Sequence, residues 1–215
     1  MRRLTGILTL FLSLAFAGGA IAANLQPGKD YDLVSPPQPT DAKGKIEVLE
    51  FFSYACPHCA HFEPVLEAWV KRLPKDVAFR RVPVTFQRPQ WGALARGYYA
   101  IEAMNEVDRL QGPMFTAVHV DRNINVATAQ SVEASMADWI AGKGIDRKKF
   151  EDNFNSFSVQ SLATRAERMT GSYGIQGVPM LVVAGKYRTP DNYPGGPEEM
   201  LKLVDAIIAK ARAEK

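Results

Sequence analysis

The segment Ile46-Glu47-Val48-Leu49-Glu50-Phe51-Phe52-Ser53-Tyr54-Ala55-Cys56-Pro57-His58-Cys59 changes character twice. Ile46 to Phe52 is a run of β-branched and aromatic residues, which reads as a buried strand. From Pro57 to about Leu73, apolar side chains at Cys59, Phe62, Leu66, Trp69, Val70 and Leu73 recur at helical spacing, so a helix begins just past the strand. Strand, turn and helix in this order place Cys56 at the helix start. Pro64 is expected to kink that helix, and Trp69 reads as core packing.

Cysteine usage then becomes informative. The chain has two cysteines, separated only by Pro57 and His58. A ring this small removes little loop entropy from the unfolded chain, so the pair is a poor staple and a better reagent. At a helix N-terminus Cys56 faces unpaired backbone N–H groups and the positive end of the helix dipole, both of which favour thiolate over thiol. His58 adds a charge or a hydrogen bond to the same sulfur, which stabilises the reduced form and makes the disulfide an oxidant. Cys59 falls on the apolar face and is expected to be the more buried of the two. A structural zinc site needs four ligands, and only His58 and His61 lie nearby. Haem attachment needs histidine directly after the second cysteine, where this chain has Ala60.

Upstream, Arg2 and Arg3 precede an apolar run from Leu4 to Ala17 and a small-residue stretch ending Ala20-Ile21-Ala22. This predicts a signal peptide over residues 1–22, a mature start near Ala23 and export. No later stretch approaches the ~18 apolar residues that cross a bilayer. Loss of the two leader arginines from a formal net charge of +3 leaves a nearly neutral chain, which predicts no nucleic-acid partner. Ser35 to Pro39 reads as a polar, proline-rich lead into the first core strand.

Downstream, Val77 to Phe86 is a second strand candidate, closed by Arg88-Pro89. Helical periods follow: Leu94, Tyr98 and Ile101; Val132, Met136, Trp139 and Ile140; Phe150 and Phe154, opened by Asp146 as cap; then Val159, Leu162, Ala166 and Met169. Strand character returns at Pro179 to Ala184, with Gly185-Lys186 turning a hairpin into Tyr187. A last helix starts near Pro197, with Gly196-Pro197 as cap and first turn. The expectation is an α/β domain, residues 23–87 and 171–215, interrupted by an all-helical insertion over residues 88–170. His61 reads as a surface or capping residue and His119 as structural.

Glu50 shares strand parity with Ile46, Val48 and Phe52, so alternation turns its carboxylate toward apolar surroundings, which is costly unless the group is paired. The other reading, a strand-end glutamate reaching solvent, stays open because parity alone does not fix the facing.

Phe51 to Cys59, together with Gly177-Val178-Pro179 downstream, closely resembles the bacterial DsbA family, and the resemblance runs through the helical insertion. It implies a thioredoxin-like fold with an inserted all-helical domain, and a periplasmic protein-disulfide oxidase with Cys56, Cys59 and His58 as catalytic residues. No metal or organic cofactor is implied. By the same resemblance the Val178–Pro179 bond is cis and packs against the redox pair, leaving the Val178 backbone to pair with extended substrates. Pro57 and Glu50 support the site, Glu50 as the family's buried acid. Arg81 matches a basic partner position, a solvated strand charge being the other reading. The implied partners are reduced, unfolded exported proteins and a DsbB-like membrane oxidase linked to quinone, with the chain itself a monomer. A reductase or isomerase of the same fold is the first rival, and an inactive chaperone module the second.

Overall fold

A computed structural model describes residues 25–191 and 193–214; the expected signal peptide lies outside the described residues. Five strands form one sheet: β1 (Asp32–Leu33), β2 (Ile46–Phe52), β3 (Val77–Pro83), β4 (Met180–Val183) and β5 (Tyr187–Arg188), in the order β1-β5-β4-β2-β3. β2 pairs parallel with β3 and antiparallel with β4, and the remaining pairs are antiparallel. The parallel β2–β3 pair requires a crossover, and α1 (Pro57–Val70) supplies it. Between β3 and β4 run five helices: α2 (Pro89–Ala103), α3 (Val107–His119), α4 (Ala129–Gly142), α5 (Arg147–Phe154) and α6 (Phe157–Ser172). The chain closes with α7 (Pro197–Ala213). This is the α/β, thioredoxin-like core with a helical insertion.

All seven residues of β2 are buried, because both faces of the sheet are covered. On one side Ile46, Val48, Leu181 and Val183 pack against Phe62, Leu66 and Trp69 of α1 and Leu201, Val204 and Ile207 of α7. On the other, Leu49, Phe51, Val82 and Val182 join the core of the insertion, which includes Leu94, Tyr98, Phe115, Met136, Ile140, Phe150 and Phe154. The Trp69 indole N–H also donates to Asp205 across α1 and α7 at 2.8 Å. Gly97 sets the approach of α2 to α4, since a Cβ there would overlap the Met136 side chain.

Four sequence expectations change. The second strand ends at Pro83, not Phe86: Phe86 and Gln87 adopt left-handed φ of 45° and 58°, which no strand accommodates. The β4–β5 hairpin turns one residue early, on Ala184-Gly185 (φ 53° and 66°), closed by the Lys186 N–H to Val183 carbonyl bond of 3.1 Å. A short strand, β1, precedes the proline-rich lead, and the lead itself contains a cis Ser35–Pro36 bond. Helix α3 is not among the predicted helical periods, although Leu110, Met114, Phe115, Ala117 and Val118 give it a buried apolar stripe around Gly112 and Pro113.

Candidate active site

Helix α1 begins at Pro57 with Cys56 as its N-cap residue, in extended conformation and without a side-chain cap. The missing cap leaves the first-turn N–H groups to the Cys56 sulfur. The preceding turn is closed by the Cys56 N–H to Ser53 carbonyl bond (3.0 Å), while the Ala55 N–H donates to Ser53 Oγ (3.2 Å). Both cysteines are free thiols. Cys56 retains 7% of its surface and Cys59 none, so Cys56 is the more accessible of the two. Pro57 and His58 are exposed beside them.

The two thiols diverge in acidity. Cys56 is lowered to about 6, chiefly by a hydrogen bond from the Cys59 side chain, against the opposing cost of burial, with backbone N–H groups of Cys59 and His58 and the His58 charge adding to the effect. Burial raises Cys59 well above the ordinary thiol range, and its bond to Cys56 and the nearby charges of Cys56 and Glu50 act in the same direction. The Val178–Pro179 peptide bond is cis, and the Cys56 thiol donates to the Val178 carbonyl at 3.3 Å. Residues 122 positions apart in sequence thus meet at one sulfur.

Beneath α1 lies a buried charge network. Arg81 of β3 stands opposite Glu50 of β2 in the parallel register, with Nε 3.1 Å from Glu50 Oε2. That contact is an ion pair without strict hydrogen-bond alignment, and among the described residues neither Glu50 oxygen has an aligned hydrogen-bond partner. Arg81 instead donates from Nη2 to Glu63 Oε1 at 2.7 Å, and Gln111 of α3 donates to Glu63 Oε2 at 3.4 Å. Two buried carboxylates therefore share one guanidinium. Burial pushes Glu50 up to about 8, with Arg81 opposing and Glu63 adding to the rise; Glu63 is raised as well, again chiefly by burial. Neither Glu50 nor Arg81 is a solvated strand charge.

Sequence reasoning did not single out Glu63, although a signal was present: it follows Cys59 by four residues and so shares the helix face that carries the buried cysteine. His119 is also closer to the site than its structural assignment suggested, with Nε2 2.8 Å from the Tyr54 carbonyl. Among the described residues no cluster of three or more His, Cys, Asp or Glu is placed to hold a metal ion, and no helix is long and apolar enough to cross a membrane.

A thioredoxin-like core that presents a Cys-x-x-Cys pair at a helix N-terminus, against a cis-proline loop, defines a thiol:disulfide oxidoreductase. The chain belongs to the DSBA-like thioredoxin domain family, which matches over residues 47–202. It is 40% identical over 209 residues to the thiol:disulfide interchange protein DsbA of Pseudomonas aeruginosa, covering 96% of each chain. With the protein of the same name from Burkholderia cepacia it shares 38% identity over 218 residues and all of both chains. Among solved structures, Pseudomonas aeruginosa DsbA superposes with a TM-score of 0.80 at 38% identity, covering 88% of this chain and 96% of that one. The Xylella fastidiosa oxidoreductase DsbA gives 0.80 at 31% identity, covering 88% and 98%.

Proposed function

We propose that this oxidoreductase is a periplasmic protein-disulfide oxidase, exported by a cleaved leader over residues 1–22, that donates its Cys56–Cys59 disulfide to reduced, unfolded exported proteins. A substrate thiolate attacks Cys56 Sγ; the Cys56–Cys59 bond breaks, and Cys59 departs with the electron pair and takes up a proton. A second substrate thiolate then attacks the substrate sulfur of the mixed disulfide, releasing the oxidised substrate and the Cys56 thiolate. Two electrons pass from substrate to enzyme, and a DsbB-like membrane partner returns the dithiol to the disulfide by passing them to quinone.

The observation that carries this reading is the inequality of the two sulfurs, Cys56 lowered to about 6 and partly accessible, Cys59 raised and enclosed. A low-pKa thiolate is the better leaving group in the release step, and its stabilisation favours the reduced enzyme, which drives oxidation of the substrate. Val178 supports a substrate subsite: its backbone lies at the Cys56 sulfur, where an extended segment gains main-chain bonds with little demand on sequence. Glu50 supports proton delivery, since a carboxyl held near 8 still carries its proton at neutral pH as Cys59 leaves.

The test is stoichiometric oxidation of a reduced, unfolded protein by the oxidised chain. One substrate disulfide should form per enzyme disulfide consumed, C56S should give background only, and C59S, first activated as the Cys56–glutathione mixed disulfide, should exchange glutathione for a substrate thiol and hold the substrate as a covalent adduct that thiol reductant releases. Oxidation by C56S at the wild-type level would refute the scheme.

A further inference from the structure

Helix α3 meets the active-site turn along one stripe. Gln111, Phe115 and His119, spaced i, i+4 and i+8, face the same side of a helix, and all three contact Tyr54, two residues before the nucleophile. The Tyr54 hydroxyl donates to Gln111 Oε1 at 2.6 Å. The Phe115 ring meets the Tyr54 ring edge-on, with centroids 5.1 Å apart. His119 Nε2 lies 2.8 Å from the Tyr54 carbonyl oxygen; a carbonyl only accepts, so Nε2 carries the hydrogen. The His119 ring is held in turn by stacking on Phe115, with centroids 6.4 Å apart and planes 22° apart. One residue of the turn is thus gripped at its side chain and at its main chain by the inserted domain.

We propose that His119 is a positioning residue for the disulfide exchange, one that sets the acidity of Cys56 by fixing the Tyr54–Ala55 peptide. Ser53 and Cys56 close the turn, and Tyr54–Ala55 is its central peptide. In a four-residue turn that central peptide is the unit that rotates between alternative turn types while the ends stay in place. The His119 bond holds the carbonyl end of that peptide, while the Ala55 N–H to Ser53 Oγ bond, the longer of the two, holds its other end. The orientation so held fixes the approach of the chain to the α1 N-terminus, and with it the alignment of the Cys56 sulfur on the His58 and Cys59 N–H groups that help to lower its pKa. Packing alone needs no donor at position 119, whereas this role does.

The inference rests on Cys56 as the nucleophile, but its test reads a difference between variants and is independent of whether the wild-type protein acts as oxidase or reductase. H119F keeps a ring on Phe115 and lacks the donor; H119Q keeps a donor of similar reach. For each full-length protein, thiolate absorbance is followed against pH and the dithiol–disulfide equilibrium is measured against glutathione, with the thermal midpoint recorded alongside. H119F should raise the Cys56 pKa and move the glutathione equilibrium about threefold or more toward the disulfide form, since a less stabilised thiolate weakens the reduced state. H119Q should lie close to wild type in both. A wild-type titration and equilibrium in H119F, with only its thermal midpoint lowered, would overturn the proposal, as would H119Q moving as far as H119F. H119N, polar but too short to reach the carbonyl, takes the place of H119F if the phenyl variant does not fold, with the same expected shift.

Discussion

At the N-terminus of α1 the fold lowers an acid, holding Cys56 near 6 with a neighbouring thiol and backbone N–H groups against the cost of burial. Under the same helix it raises one, holding Glu50 near 8 because burial outweighs the single guanidinium that two carboxylates must share. The difference lies in the donors. Cys56 has N–H groups that the helix leaves unpaired and that are already oriented. Glu50 has a charge nearby but, among the described residues, no aligned hydrogen bond, and burial outweighs what Arg81 contributes. Glu50 also acts on Cys59 electrostatically, adding to the rise of that thiol above its ordinary range, so the two regions push the two sulfurs apart in acidity.

The largest effect should come from breaking the lower region. R81M leaves Glu63, the carboxylate hydrogen-bonded to the guanidinium, buried without its cation, and equilibrium denaturation should show a loss of about 3–5 kcal/mol. A variant as stable as wild type would mean that Glu63 is neutral in the folded protein, as Glu50 is at pH 7.

E50Q should act in the opposite direction. The folded pKa of about 8 stands above the ordinary 4.5, so between those pH values the unfolded chain releases a proton that the folded chain keeps, and stability falls as pH rises through that window. Removing the group should therefore stabilise the protein by about 3 kcal/mol at pH 7. The gain should vanish below about pH 4.5 and level off above about pH 8. Denaturation of both proteins across this range checks the sign, and a gain that persists in acid would assign the effect to packing.

The smallest effect is expected in the upper region. His58 is the last-ranked contribution to the lowered Cys56 pKa, so H58S should raise that pKa while leaving it well below 9, as read by thiolate absorbance. A return to the ordinary thiol value would give the histidine the role assigned here to Cys59 and the backbone.

The same two regions divide what could be read from the chain. The upper one is contiguous: strand, turn, cysteine and helix follow within residues 46–59, so local pattern alone places Cys56 at a helix start. The lower one is assembled by tertiary packing, with Gln111 coming from 48 positions beyond Glu63 and its partner Tyr54 from 57 positions before it, and no periodicity announces such pairings. Glu50 illustrates the limit. Alternation gave it an inward facing, but every residue of β2 is buried, so parity chose which layer it meets and not whether it meets solvent. Helix α3 was legible, since Leu110, Met114, Phe115 and Val118 fall at helical spacing despite Pro113, but nothing local ties His119 at its end to Tyr54, 65 positions away. The early end of β3 depended on left-handed backbone at Phe86 and Gln87, residue types that give no warning of it.

The most direct test of the account is the equilibrium reduction potential of the Cys56–Cys59 pair, measured against glutathione at neutral pH. The account predicts a potential well above that of the glutathione couple, because a thiolate stabilised at the helix N-terminus makes the dithiol the favoured state. A potential at or below that of glutathione would contradict it and make the protein a reductase.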